Sequence, residues 1–225
     1  MKLPARLEYV FSLAEKSLLT VDVGTDHGKL AAALVLSGRA ERAIASDVKE
    51  GPLSKAEELI AKLGLADKVG LRLADGLTGL DDSGADQAVI AGMGGELIAS
   101  IIAAAPWVKT AGVHLVLQPM TTAPELRRFL AEEGFRILRQ GAALEDGKPY
   151  EVITARYDGV KRACVPEEAE IGGPFEGDGE AVDALLKKKR SALQKRLIGA
   201  EKKDNGEAEI IRRLIAVTDR RLEEL

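Results

Sequence analysis

Short apolar segments that alternate with helical patterns fill the first 135 residues of this chain, and they constrain its fold more than any other feature. The short segments are mainly apolar, as expected of strands buried on both faces. Strand–helix alternation predicts a parallel sheet with helices on both faces. The predicted strands span residues 18–23, 43–45, 69–73, 87–91 and 113–117, and the predicted helices span 3–14, 30–36, 52–63, 97–104 and 124–133.

The pattern changes after residue 135. Segments 135–145 and 150–157 flank Asp146-Gly147, a hairpin turn signal, so the sheet is expected to end in an antiparallel pair. A glycine-rich stretch then marks a linker, and two helical segments with apolar stripes near heptad spacing follow, separated by Asn205-Gly206. We expect an α/β domain over residues 1–158, a linker over 159–179 and an antiparallel two-helix coiled coil over 180–225.

Composition excludes several classes of protein. The single cysteine, Cys164, cannot form a disulfide within the chain or build a thiolate metal site, so a reducing, cytoplasmic location is expected. The N-terminal residues lack the apolar core of a secretory leader, and no apolar run is long enough for a bilayer. The net charge of −4 argues against general coating of nucleic acid, although it permits a local basic patch.

A glycine loop, Gly24-Thr25-Asp26-His27-Gly28, follows the first predicted strand and opens a helix. An open α/β sheet binds its ligand at this position, and glycine lets the backbone turn tightly there. The middle glycine of the dinucleotide fingerprint is missing, and Asp22 and Asp26 would repel a pyrophosphate. A nicotinamide oxidoreductase is therefore disfavoured. His27 is open to two interpretations, a ligand contact or a helix-capping residue.

Carboxylates end three successive predicted strands. Asp47 lies about 20 residues beyond the glycine loop, the spacing of a ribose-binding acid. Asp75, directly before Gly76, is placed to accept a hydrogen bond from an adenine amine. With Asp22 and Asp26, these acids suit a cationic ligand that carries a diol and an amine. Each acid taken alone also fits a plain helix N-cap, and that alternative stays open.

Two further motifs follow the fourth and fifth predicted strands. Ala91-Gly92-Met93-Gly94-Gly95 is expected to be a loop on whose bare backbone a flat substrate could lie. Gln118-Pro119 ends strand five, and the Gln118 amide is either a reader of a base edge or an exposed loop amide. Tyr150 is more typical of a packed residue than of a stacking platform.

Together these motifs resemble the bacterial tRNA (adenine(22)-N1)-methyltransferase family, from about Leu7 to the C-terminal helices. Met120 and Asp47 depart from the family, where Asn and Glu are expected. The shared motifs are Asp22-Val23-Gly24-Thr25-Asp26-His27, Ala45-Ser46-Asp47, Gly51-Pro52, Asp75-Gly76-Leu77, Ile90-Ala91-Gly92-Met93-Gly94-Gly95, Leu117-Gln118-Pro119, Tyr150-Glu151-Val152 and Gly173-Pro174-Phe175.

The resemblance implies a Rossmann-like class I methyltransferase domain followed by a coiled-coil hairpin. It also implies S-adenosylmethionine as cofactor, tRNA as partner and methylation of N1 of the adenosine at position 22 in the D arm. No metal is expected. The residues predicted to bind the cofactor are Asp22, Gly24, Thr25, Asp26, His27, Gly28, Asp47, Asp75, Gly76, Ala91 and Gly92. The residues predicted at the transfer centre are Asp26, Gly92, Met93, Gly94 and Gln118.

Basic residues concentrate on the first C-terminal helix, where they predict a surface that follows tRNA phosphates. A solvated helix face paired with acids of the partner helix is the alternative. The predicted RNA-binding residues are Arg6, Lys187, Lys188, Lys189, Arg190, Lys195 and Arg196, with Lys202 and Lys203 in the same basic stretch. Two other functions stay open: methylation of a different acceptor, and cofactor binding without catalysis. We expect a monomer, although the C-terminal helices could also pair between chains.

Overall fold

The structure is a computed structural model that describes residues 1–81, 83–110, 112–202 and 206–225. Within these residues the strands are β1 (Ser17–Val23), β2 (Ala40–Asp47), β3 (Val69–Leu73), β4 (Gln87–Gly94), β5 (His114–Thr121), β6 (Phe135–Glu145), β7 (Lys148–Tyr157) and β8 (Glu176–Gly177). The helices are α1 (Ala5–Leu13), α2 (Lys29–Leu36), α3 (Glu50–Lys62), α4 (Gly95–Ala103), α5 (Trp107–Thr110), α6 (Ala123–Glu132), α7 (Pro166–Glu170), α8 (Gly179–Ala200) and α9 (Glu207–Glu223).

One sheet runs in the order β3-β2-β1-β4-β5-β7-β6-β8. Strands β1 to β5 are parallel, and β7 joins them antiparallel as the second arm of the hairpin that begins with β6. The chain moves outward from β1 to β3 and then returns to place β4 on the other side of β1. Strand order therefore reverses between β1 and β4, and such a reversal opens a crevice beyond the carboxyl ends of the two strands.

Apolar side chains cover both faces of the sheet, as the buried strands require. Helices α1, α2 and α3 pack on one face, with Val10, Leu34 and Ile60 in their contact. Helices α4 and α6 pack on the other, with Ile98 and Leu126 fully buried. The predicted doubly wound fold with a terminal antiparallel hairpin is confirmed.

Segment 159–179 carries structure of its own. It contains α7 and the two-residue strand β8, which pairs parallel to β6 at Gly141 and Ala142. A third apolar cluster joins this region to the C-terminal helices, with Ile171 buried against Val182 and Leu214. The C-terminal helices therefore pack on the end of the sheet.

Helices α8 and α9 pack against each other within the chain, and cross-pairs show that they run antiparallel. Arg190 contacts Asp219, while Glu201, further along α8, bonds Arg212, earlier in α9, at 2.8 Å. Asn205, part of the predicted turn, and Lys203 lie outside the described residues. No helix in the described ranges is long and apolar enough to span a membrane.

A buried polar network ties β1, β4, β5 and the end of α1 together at the amino-terminal edge of the sheet. The Gln87 carboxamide oxygen accepts from the Glu15 amide at 2.8 Å and from His114 Nδ1 at 3.0 Å. Its amide nitrogen donates to Thr20 Oγ1 at 2.9 Å. Burial lowers the pKa of His114, so the ring is neutral in this network.

Replacing Gln87 by Leu should lower the free energy of unfolding by about 2–4 kcal/mol, because it leaves several buried donors and acceptors without partners. Chemical denaturation of both proteins measures the difference. Gln194 is exposed on α8, so the same substitution there is the control and should change stability by less than about 0.5 kcal/mol. Equal effects at the two positions would contradict the network's role.

Candidate functional site

The glycine loop between β1 and α2 lies at the crevice and has the backbone geometry that its sequence predicts. Gly24 and Gly28 adopt φ of +69° and +68°, a region that L side chains rarely enter. The Gly24 and Thr25 amides donate to the Ser46 carbonyl at 2.9 and 3.0 Å, which fixes the loop against β2. His27, with φ of +59°, is held in the same strained region, and its ring lies 3.4 Å from the Asp26 carboxylate.

Asp22 is almost fully buried beneath this loop. Its carboxylate accepts from Thr25 Oγ1 at 2.7 Å and from the Ala31 amide in the first turn of α2. Burial raises the pKa of Asp22 to about 6, and the neighbouring carboxylates of Asp26 and Asp47 add to the rise. Asp22 therefore caps α2 and organises the loop. Its carboxylate lies in a pocket that is crowded with other acids.

The other predicted acids surround the crevice in more open positions. Asp47 is half-buried at the end of β2, and one of its oxygens accepts from the Lys49 amide at 2.8 Å. Asp26 and Asp75 are exposed. Among the described residues, the Asp75 carboxylate has no hydrogen-bond partner and remains free for a ligand. Asp26 and Asp47 are close enough to Asp22 to raise its pKa.

Met93 links the two glycine motifs across the switch point. A Cβ at Gly24 would overlap the terminal methyl of Met93, so the absence of a side chain at Gly24 leaves room for the thioether. Gly92, beside it, is exposed with φ of +81°. The ends of β1 and β4 are therefore in direct contact through Met93.

The predicted loop after the fourth strand is largely strand, because β4 continues through Gly94 beside an extended β5. A Cβ on Gly94 would lie 3.2 Å from Thr121 Oγ1, and one on Gly95 would overlap the Thr122 carbonyl. These two glycines serve close packing of the β4–α4 junction against Thr121 and Thr122, which corrects the expectation that their backbone supports a flat substrate. Gly92 alone of the three keeps an open surface.

Gln118 differs from both of its sequence interpretations, since it is fully buried and is neither a reader of a base edge nor an exposed amide. Its carboxamide oxygen accepts from the Gly92 amide at 3.1 Å and from Arg6 Nη1 at 2.6 Å. Its amide nitrogen donates to the Pro119 carbonyl at 3.1 Å. Gln118 therefore positions Gly92 and Arg6, a role that its strand-end position alone could not reveal.

Arg6 lies at this site and not on the basic face of α8, where the sequence analysis grouped it. Its side chain is 19% exposed, its backbone amide donates to Glu145 at 2.9 Å and its guanidinium lies 5.8 Å from the centre of the Tyr150 ring. Arg6 thus brings a positive charge to the carboxyl ends of β4 and β5. Tyr150 is half-buried beside it.

The basic residues of α8 are mostly engaged within the chain. The Lys189 side chain is only 13% exposed and bonds Glu151 at 3.0 Å, which corrects its prediction as a surface phosphate contact. Arg190 pairs with Asp219 of α9, as the alternative interpretation expected. Lys187 pairs with Asp183 and Arg196 with Glu170, both at 2.8 Å, whereas Lys188 and Lys195 have no carboxylate partner in the described ranges.

The site fits a cationic organic ligand better than a metal or a phosphate. Acids crowd the crevice, and the cost of ionising Asp22 falls when a positive charge binds nearby. In the part of the chain that the structure describes, no group of three or more His, Cys, Asp or Glu could hold a metal ion. A doubly wound sheet with carboxylates at its switch point is the arrangement of a methyltransferase domain.

Comparison with known proteins agrees, since residues 3–153 match the methyltransferase domain family. The chain is 34% identical to the tRNA (adenine(22)-N(1))-methyltransferase of Bacillus subtilis over 182 residues, which cover 78% of this chain and 75% of that protein. It therefore belongs to the tRNA (adenine(22)-N1)-methyltransferase family, as the resemblance of its motifs implied.

Solved structures share the whole architecture, including the C-terminal helices. A candidate tRNA (m1A22) methyltransferase from Streptococcus pneumoniae, in complex with S-adenosyl-L-methionine, has a TM-score of 0.81 and 30% identity, covering 98% of this chain and all of that one. The B. subtilis M1A22 tRNA methyltransferase has a TM-score of 0.72 and 28% identity, covering 99% and 96%.

The raised pKa of Asp22 predicts how its replacement changes stability with pH. A carboxyl with a pKa of about 6 when folded and 3.8 when unfolded costs about 3 kcal/mol once the pH exceeds 6, and nothing below about 3.8. Without ligand, the free energy of unfolding of Asp22→Asn, relative to that of wild type, should therefore rise by about 2–3 kcal/mol between pH 4 and pH 8. Denaturant unfolding at both pH values measures this, and the exposed Asp67→Asn is the control. A difference from wild type that is independent of pH would contradict the burial argument.

Proposed function

We propose that this chain transfers a methyl group from S-adenosylmethionine to N1 of the adenosine at position 22 of tRNA. The observation that carries the proposal is the crevice between β1 and β4, where a buried carboxylate, two further acids and a glycine loop meet the open Gly92 backbone. Family membership adds the acceptor, because the B. subtilis relative is a tRNA (adenine(22)-N(1))-methyltransferase.

S-adenosylmethionine supplies an electrophilic methyl group on a positively charged sulfur. Asp47, at the end of β2, is placed to accept from the ribose hydroxyls, and Asp75, with its free carboxylate, is placed to accept from the adenine amine. Asp22 holds the Gly24–Gly28 loop in shape and contributes negative charge beneath it. Of the remaining predicted cofactor residues, Thr25 acts through Asp22, while Gly76 and Ala91 contribute backbone at neighbouring strand ends.

Methylation at adenine N1 needs positioning more than proton transfer. The N1 nitrogen carries a free lone pair at neutral pH, so no side chain has to remove a proton first. Positive charge develops on the base during transfer, and a carboxylate nearby stabilises it. Asp26, exposed on the loop, is our candidate for that role. Gln118 and Arg6 act on the other side by fixing the Gly92 backbone.

The proposed substrate must present its target base outside a helix, because N1 lies on the pairing edge. The side chains available to contact tRNA phosphates are then the basic residues that form no ion pair within the protein. On α8 these are Lys188 and Lys195, since the neighbouring basic residues are paired. Within the predicted basic surface, these two lysines therefore carry the proposed phosphate contacts.

Incubation with labelled S-adenosylmethionine and unmodified tRNA, followed by nucleoside analysis, should yield 1-methyladenosine. A tRNA in which guanosine replaces the adenosine at position 22 is the matched control and should take up no label. Label on another nucleoside would show a different acceptor. Binding of S-adenosylhomocysteine without any transfer would instead support cofactor binding without catalysis.

Replacing Asp26 by Asn should lower kcat about tenfold or more and leave the affinity for S-adenosylhomocysteine nearly unchanged, because the carboxylate acts on charge that develops during transfer. Asp67, exposed at the opposite edge of the sheet, provides the control, and Asp67→Asn should keep full activity. If Asp26→Asn retains full turnover with normal cofactor binding, the electrostatic role is wrong.

A further inference from the structure

A groove of about 270 Å³ runs between the carboxyl end of β5 and helix α8. Its walls come from β5, β7, α8 and the adjoining ends of α6 and α7, so it exists only because the helical hairpin packs on the end of the sheet. We call it the α8 groove. Its principal lining residues are Pro119 and Met120 at the end of β5, Tyr150 of β7, and Lys188, Ala192 and Arg196 of α8.

The α8 groove begins where the proposed transfer centre ends. Pro119 and Met120 directly follow Gln118, whose carboxamide holds the Gly92 amide at 3.1 Å. Tyr150 belongs to both places, because it lines the groove and also lies beside the Arg6 guanidinium. An RNA strand that places one nucleotide in the crevice can therefore place a neighbouring nucleotide in the groove.

The charge of the groove is positive once its internal pairs are considered. The two acids that line it, Glu151 and Glu170, each have two basic partners. These partners are Arg127 and Lys189 for Glu151, and Arg128 and Arg196 for Glu170. Lys188 has only the Pro149 carbonyl, at 3.5 Å, as a partner among the described residues. Its charge is therefore available to a phosphate at the rim.

The wall that faces α8 has an unusual backbone and an apolar surface. Thr122 adopts φ of +49°, an outlier for a β-branched residue that costs on the order of 1–3 kcal/mol. Its carbonyl is packed on Gly95, so the strain is maintained by the close strand contact. Met120 next to it is 43% exposed and offers a soft apolar surface at this wall.

We infer that the α8 groove binds the nucleotide adjacent to the methylated adenosine, with its base against Met120 and Tyr150 and its phosphate at Lys188. The inference rests on the proposed function. When the target base leaves the stack, its neighbour loses a stacking partner, and an aromatic or apolar surface in the protein can replace it. A groove of this volume is too small for a folded partner and accommodates a single nucleoside.

The first experiment adds the same charge inside and outside the groove. Ala192→Glu places a carboxylate in the groove, whereas Gln194→Glu places one on an exposed position of α8 outside the groove and on a different face from Lys188 and Lys195. Equilibrium binding of unmodified tRNA, measured without cofactor, should weaken about tenfold for Ala192→Glu and less than about twofold for Gln194→Glu. Both variants should bind S-adenosylhomocysteine as wild type does, which controls for folding.

The second experiment pairs the protein change with a change in the RNA. Two tRNAs, each with an abasic site on one side of the target adenosine, are compared with intact tRNA. With wild-type protein, one of them should bind about tenfold more weakly, and with Met120→Ala the same abasic site should cost less than about threefold. If the abasic site lowers tRNA affinity equally for wild type and Met120→Ala, the assignment is overturned.

These binding measurements do not depend on methyl transfer. If wild type forms no 1-methyladenosine but the two glutamate variants differ as described, the proposed reaction fails while the groove remains a nucleic-acid site. If wild type methylates tRNA but Ala192→Glu binds tRNA like Gln194→Glu, the groove assignment fails while the proposed function stands.

Discussion

The contact between Met93 and Gly24 is the constraint on which the site depends. It exists because the parallel sheet reverses its strand order between β1 and β4, and it brings the carboxylate-rich loop within reach of the Gly92 backbone. A side chain at Gly24 would have to displace the Met93 thioether and would be strained at the φ of +69°. The same contact explains why the first glycine of the loop is needed for packing as well as for its backbone angle.

The sequence predicts the doubly wound sheet, the terminal hairpin and the gathering of acids, because alternation of apolar segments and residues at strand ends are local signals. It could not predict what Gln118 does, because the Gln118 carboxamide bonds Arg6, a residue that is distant in the chain. Gly94 and Gly95 mislead for a related reason. A glycine that a ligand needs and a glycine that a neighbouring strand needs look identical in sequence, and only the extension of β5 distinguishes them.

Asp22 shows how the site trades stability for binding. A carboxylate under the loop is needed to cap α2 and to hold Thr25, but burial beside other acids makes its ionised form costly. That cost is relieved when a positive charge enters the crevice, so part of the binding free energy of a cationic cofactor comes from strain already present in the ligand-free protein. An amide at this position would lose the electrostatic gain.

The basic helix illustrates why charge runs are weak evidence by themselves. In α8, most cations pair with acids of the hairpin or of the elements it packs on, as Lys189 does with the buried Glu151, which it shares with Arg127. Fewer charges are then left for nucleic acid than the sequence suggests, and those that remain are placed by the same packing. Lys188 lies beside the wall that begins at Gln118, so docking of the hairpin both consumes positive charge and positions the remainder next to the transfer centre.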